Sequence, residues 1–194
     1  MYNKYEQEEL EKQRIFNIAL EVMNEVGYEG LSIRGLCAKA EISTGKFYSL
    51  FHSKADLLRF YFDRAIQSFQ EEVRQWENWD SLDIKQQIVD FYTWYLEYTV
   101  KFGLDFVSHF YSSSNEVFTD SASYTVIISL TETFFQKAVQ NGYVVPDNKT
   151  IHEIACDLCV IVKGCIFQWC INRGSFDLPK YAKDLLTRCV RSLL

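Results

Sequence analysis

Apolar residues recur every three or four positions along most of the chain, the spacing of helices that bury one face. Leu10, Ile15, Ile18, Ala19, Val22 and Val26 predict a first helix over residues 6–26, ended by Gly27. A much shorter stripe follows, with Ser32 as N-cap and Ile33, Leu36, Cys37 and Ala40 inward. The pattern breaks at Glu41-Ile42. Ser43 then opens a second short helix with Phe47, Leu50 and Phe51 inward, and a long helix over 53–76 carries Leu58, Phe62, Ala65, Phe69, Val73 and Trp76 on one stripe. Two helices of about two turns each are not stable alone. Crossed steeply, they make a helix-turn-helix whose second member enters the DNA major groove.

Further along, Ile84, Ile88, Phe91, Tyr95, Thr99 and Phe102 mark a helix that breaks near Gly103. A short helix over 106–111, a loop at 112–115 and a helix over 121–141 closed by Gly142 come next. Thr150-Ile151-His152-Glu153 is a capping-box pattern, and the helix it opens runs to about Asn172, before Gly174. Asp177 caps a last helix with Pro179 in its first turn and Tyr181, Leu185, Leu186, Cys189, Val190 and Leu193 inward. The expected class is all-α, with about nine helices. The expected division is residues 1–52 as a helix-turn-helix domain and residues 53–194 as a larger body, joined by the long helix without a flexible linker.

The short helices carry the chemistry. Lys46 falls in the first turn of the second one, and Lys54 follows Ser53 at the start of the long helix. Cations there oppose the helix dipole at a cost of roughly 0.3–1 kcal/mol, which a bound phosphate removes. Gly45 is weak by propensity, by about 1 kcal/mol against Ala, and its missing side chain permits close approach. Tyr48 places a hydroxyl on the outer face.

These residues resemble the DNA-binding domain of TetR-type transcriptional regulators. The likeness rests on Gly30-Leu31-Ser32-Ile33, Leu36-Cys37-Ala38-Lys39-Ala40, Ile42-Ser43-Thr44-Gly45-Lys46-Phe47-Tyr48, Phe51-His52-Ser53-Lys54 and Asp56-Leu57-Leu58. The resemblance implies that Ser32, Arg34 and Lys54 hold phosphates, and that Thr44, Gly45, Lys46, Tyr48 and His52 face the groove or its edges. Two positions depart from the pattern. Glu41 stands where the family has glycine in the turn, so it is expected at positive φ. Gly35 stands where an acidic or polar residue is usual.

Charge is uneven in the sense this reading needs. The whole chain carries −6, whereas residues 31–54 carry a net +3. A small basic face on an acidic body fits a protein that meets nucleic acid through one module. No apolar run reaches membrane-spanning length without interruption, since Asp157, Lys163 and Gln168 break up residues 154–171. The acidic start lacks an apolar signal region, so the expected location is cytoplasmic, with no membrane partner. The six cysteines are then expected as reduced thiols. Cys156-x-x-Cys159 has a metal or redox spacing beside the packing role that buried thiols usually fill, which leaves a thiol- or metal-sensing regulator as an alternative. No metal or cofactor is otherwise expected.

The helix opened by Thr150 is apolar on two sides. Ile151, Ile154, Leu158, Val162, Cys165 and Trp169 take one face, and Cys159, Val160, Phe167 and Cys170 the other. Two apolar sides need two covers. The second cover is expected to be another copy of the chain, with Val160, Phe167, Cys170, Tyr181, Leu185 and Cys189 at the interface. A two-fold dimer would present two recognition helices to a palindromic operator in double-stranded DNA. The family resemblance further implies a small-molecule effector that relieves repression. Its candidate walls are Phe91, Trp94, Tyr95, Tyr98, Phe102, Phe106, His109, Phe110, Tyr124, Phe134 and Trp169, which suit an apolar or aromatic ligand. An enzyme would need converging carboxylates and histidines or a nucleophile beside a base, and the bundle helices offer no such sequence pattern.

Overall fold

Hydroxyl and carboxylate caps set most of the helix starts in the computed structural model, which describes residues 4–112, 121–146 and 148–193. Every regular element among the described residues is helical: α1 (Lys4–Gly30), α2 (Ile33–Lys39), α3 (Thr44–Leu50), α4 (Ala55–Val73), a 3-10 turn (Trp79–Ser81), α5 (Ile84–Val100), α6 (Gly103–Phe110), α7 (Ser121–Gln140), α8 (Ile151–Ile171) and α9 (Leu178–Leu193). The all-α expectation holds. Ser32 accepts the Gly35 amide at 3.1 Å to open α2, and Ser43 accepts the Lys46 amide at 3.0 Å to open α3. Asp83 does the same for α5, and Asp177 for α9. At α8 the capping box is complete, with the Glu153 carboxylate accepting the Thr150 amide at 2.7 Å and Thr150 Oγ1 accepting the Glu153 amide at 3.2 Å.

Packing divides the chain into two units. The first holds α1, α2, α3, the opening turns of α4, and α6; the second holds the rest of α4, the 3-10 turn, α5, α7, α8 and α9. The division by packing falls inside α4, after Asp63, so α4 contributes to both.

In the first unit, Phe16 is the centre of the core. Its ring lies 5.4 Å from Phe60, 5.9 Å from Phe102 and 6.2 Å from Phe106. The buried face of α1 is Ile15, Phe16, Ala19 and Met23, whereas Leu10 and Val26 are 54% and 56% exposed. Those two were expected inward and are not. Several phases of a 3.6-residue stripe fit this segment, and the bulky rings of α4 and α6 select the one that buries Phe16. Gly27 breaks the helix at φ 77°, as expected of it. On α4 the inward residues are Leu57, Phe60, Ala65 and Phe69; the side chains of Leu58 and Phe62 lie outside the described residues.

In the second unit, Phe69 plays the corresponding part. It meets Phe91 at 4.8 Å, Trp94 at 5.1 Å, Trp79 at 5.7 Å, and Trp76 and Phe134 at 6.0 Å. Trp94 also donates its indole N–H to Glu72 at 2.8 Å. Inside the same core the Tyr92 hydroxyl and Thr131 Oγ1 are paired at 3.0 Å, so the polar atoms of α5 and α7 satisfy each other. α8 buries Ile154, Leu158, Val162, Cys165 and Trp169. It is long and apolar enough, by length and composition, to cross a membrane, but here it packs on α7 and α9. Tyr181, expected inward on α9, is 47% exposed; Leu178, Ala182, Leu186 and Val190 form that buried face instead.

Candidate nucleic-acid interface

The turn between α2 and α3 is tight. The Ala40 amide donates to the Leu36 carbonyl at 2.8 Å and the Ile42 amide to the Cys37 carbonyl at 3.0 Å, which forces Glu41 between them to φ 55°. The left-handed region disfavours a residue with a Cβ. Arg14 of α1 reaches across and donates to the Ala40 carbonyl at 3.0 Å, pinning the turn to the first helix. Glu41→Gly is therefore expected to raise stability by roughly 0.5–1 kcal/mol in chemical denaturation. A loss of stability would mean that contacts of the Glu41 side chain outweigh the strain.

Buried rings fix the orientation of α3. Phe47 has no exposed surface, and Phe51 stacks on it at 5.4 Å. With that face held down, Thr44, Gly45, Lys46, Tyr48 and Ser49 lie exposed, Tyr48 to 50%. Gly45 is not demanded by the fold: a Cβ there would meet only the Ser43 hydroxyl, at 3.8 Å. The room it leaves is on the outer face. Gly35 is different, since a Cβ would come within 3.0 Å of the Ser32 hydroxyl that caps α2. Glycine there leaves space for the cap.

The cations divide into two kinds. Arg34 and Lys46 are exposed on α2 and α3. Lys39 is paired back onto α1, 3.0 Å from Glu25 and 3.6 Å from Glu21. Lys54 donates to the Tyr28 carbonyl, and its ammonium lies 4.0 Å from the centre of the Tyr28 ring. Burial pulls the Lys54 pKa down, against the pull of Glu29 and Asp105. A phosphate contact through Lys54 would compete with its tie to the end of α1. Exposed His52 closes the surface, its backbone amide donating to Asp56 at 2.7 Å. Ser32, already a cap, is also exposed.

The residues named for an effector pocket fall into both packing units. Phe102, Phe106 and Phe110 are buried in the first. There His109 packs on Tyr28 at 5.0 Å, lies 3.6 Å from Glu29, and has Nδ1 2.9 Å from the Asp105 carbonyl. In the second unit, Phe91, Trp94, Tyr95 and Trp169 are buried. Tyr98 stacks on Trp94 at 5.3 Å, and burial raises its phenol pKa. Trp169 donates its indole N–H to the Phe176 carbonyl at 3.1 Å. The Tyr124 side chain lies outside the described residues.

A cavity of about 660 Å³ opens in the second unit where α4 ends. Phe69, Trp76, Trp79 and Phe134 supply its rings, and Arg74, Lys137 and Asp80 its charges, the last two 3.9 Å apart. Phe134 is the member of the expected pocket set that lines it. The sequence carried a signal for the others: two tryptophans three residues apart just past a helix end. The 3-10 turn and the left-handed Asn78 (φ 62°) bring Trp76 and Trp79 together at 5.4 Å.

The two thiols of Cys156-x-x-Cys159 differ in exposure. Cys159 is 4% exposed and burial pushes its thiol up, while Cys156 is partly exposed. Among the described residues no group of three or more His, Cys, Asp or Glu is placed to hold a metal ion.

Comparison with known proteins places this geometry. Residues 15–59 match the sequence model of the bacterial regulatory proteins of the tetR family. Curated proteins yield no match. Among solved structures, FadR of Thermus thermophilus, a TetR-family transcriptional repressor in complex with lauroyl-CoA, superposes with a TM-score of 0.71 at 15% identity, covering 93% of each chain. The Bacillus subtilis transcriptional regulator FadR with stearoyl-CoA gives 0.67 at 14% identity, over 94% of this chain and 98% of that one. A TetR transcriptional regulator from Nitrosomonas europaea gives 0.69 at 16%, over 94% and 97%. The segment holding α2, α3 and their turn is thus similar to bacterial regulatory proteins of the tetR family, and the chain shares the fold of these solved TetR-type structures.

Proposed function

We propose that the chain is a homodimeric transcriptional repressor, acting in the cytoplasm, that binds a palindromic operator in double-stranded DNA and is released by a small amphipathic ligand. The observation that carries this reading is α3 itself, with Thr44, Lys46 and Tyr48 exposed above a base of buried Phe47 and Phe51. Such a helix, lifted clear of its own core, can enter a major groove. Arg34 and Ser32 flank it as phosphate contacts, Lys54 joins them if DNA draws it from Tyr28, and His52 faces the groove edge. The functional division at residues 52/53 belongs to the same proposal.

The dimer is supported by an apolar row on the outside of α8. Val160 and Phe167 are 63% and 62% exposed, too much to leave in water without a partner. Cys170, Tyr181, Leu185 and Cys189 extend that surface onto α9. A second copy covering it would set the separation of two recognition helices, which fixes half-site spacing.

The cavity at the end of α4 supports the effector class. Its four rings favour an apolar or aromatic body, and Arg74 offers a cation to an anionic group, Lys137 lying 3.9 Å from Asp80 of the same lining. The acyl-CoA complexes of the two FadR proteins, fold relatives at low identity, are consistent with that combination. Such a ligand would act by binding one conformation of the body better than another, shifting population away from the DNA-competent one.

Selection of bound duplexes from fragmented genomic DNA by the purified protein, at low and near-physiological salt, tests the reading. Enrichment of a two-fold-symmetric sequence is the expected result, with affinity falling steeply as salt rises. No enrichment at either salt would overturn it.

A further inference from the structure

We propose that Cys156 is a base-activated nucleophilic thiol that adds to neutral, carbonyl-conjugated alkenes. Three side chains from two helices are in line. Cys156 Sγ lies 3.5 Å from His152 Nε2, one turn earlier on α8. The other ring nitrogen, Nδ1, lies 2.7 Å from the Glu132 carboxylate of α7. An ionised carboxylate only accepts hydrogen bonds, so Nδ1 carries the ring proton. Nε2 then turns its lone pair to the thiol. Nucleophile, base and orienting carboxylate stand in the order that activates a weak nucleophile.

The arrangement follows from register and capping. Residues four apart share a helix face, and the Thr150–Glu153 box fixes the first turn of α8, where His152 lies. Glu132 keeps 25% of its side-chain surface exposed and His152 keeps 67%, so the carboxylate is the more enclosed member and the imidazole is open to solvent. Cys156 rests partly against Ile128, Ala155 and Cys159, which holds the thiol beside the ring.

The surrounding charges decide which electrophile suits the site. From α7 comes Glu132, and from α8 come Glu153, Asp157 and Lys163; Lys149, ahead of α8, is paired to Asp157. Burial first, and then Glu132, Asp157 and Glu153, hold the thiol proton on, with Lys163 opposing. The resting group is therefore the neutral thiol, and His152 takes its proton as attack proceeds. The same carboxylates repel anionic reagents such as glutathione disulfide, which leaves neutral acceptors. In the step, Sγ bonds to the β-carbon of the alkene and the π pair moves to the α-carbon beside the carbonyl. His152 returns the thiol proton to that carbon. Nothing leaves, nothing is oxidised, and the imidazole ends as it began.

N-ethylmaleimide is a neutral probe of this class, and peptide-resolved mass spectrometry of the full chain gives a rate for each cysteine. Near neutral pH, Cys156 in the folded chain is expected to react at least about tenfold faster than the same cysteine in the urea-unfolded chain. His152→Ala should remove at least about tenfold of that rate, and Glu132→Gln a smaller factor, with helix content unchanged by circular dichroism. The pH profile separates base catalysis from mere accessibility. The wild-type rate should hold up below the pH at which the thiol ionises. In His152→Ala it should instead climb only as the thiol ionises. A Cys156 no faster than in the unfolded chain, or a His152→Ala chain with the same rate and profile, would overturn the proposal.

Discussion

Replacing Lys46 or Tyr48 with alanine is expected to weaken operator binding by roughly 1–3 kcal/mol per half-site. A symmetric dimer makes each contact twice, so the loss doubles and binding at physiological salt falls by roughly 30-fold to 10⁴-fold. Both side chains are exposed on α3 and make no core contact that folding depends on, so helix content and self-association should be unchanged. Tyr48 touches the core only by the edge of its ring on Phe47, 5.5 Å away. Salt titration distinguishes their roles. A phosphate-binding Lys46 should lower the salt slope by about one per half-site when removed, and a Tyr48 that donates to a base edge should leave it unchanged. Full affinity in both variants would mean that α3 does not read the groove.

Phe69→Ala is expected to be the most damaging single change to the fold, at about 3–5 kcal/mol in chemical denaturation. Phe69 is 2% exposed and meets five other rings from the α4–α5 segment, α5 and α7. Aromatic pairs add to the burial term, and a domain with about 5–15 kcal/mol in total cannot absorb such a loss easily. The ring also lines the cavity at the end of α4, so its removal enlarges that space. An apolar ligand that fills the hole should recover part of the stability, readable as a shift in melting temperature. A loss below about 1 kcal/mol would show that the neighbouring rings collapse into the gap.

Helix boundaries were legible because their causes are local. Ser32, Ser43, Thr150 and Asp177 cap the amide three residues on, a signal contained within one turn. Gly27, Gly103, Gly142 and Gly174 all take positive φ where a helix ends or begins. Glu41 at φ 55° shows the same logic running the other way, with the turn imposing a conformation on a residue unsuited to it. Periodicity was less complete. It located α1 but not its phase, because Leu10 and Val26 fit a stripe as well as Phe16 and Met23 do. The rings of Phe60, Phe102 and Phe106, far along the chain, made that choice.

Charge shows the limit most clearly. Counting residues 31–54 yields a basic face, but two of its four cations are drawn onto α1: Lys39 by Glu25, 14 positions away, and Lys54 by the Tyr28 carbonyl, 26 away. Composition cannot report such pairings. The same holds for the cavity between the end of α4, the 3-10 turn and α7, and for the Glu132 carboxylate, which meets His152 from 20 positions away. By itself the sequence determined the helical class, the helix ends and the helix-turn-helix, since each depends on interactions spanning about one turn of chain. Only the tertiary structure decided which cations stay exposed, which rings line a cavity and which carboxylate meets His152. Those are contacts between residues that the chain brings together only when its core forms.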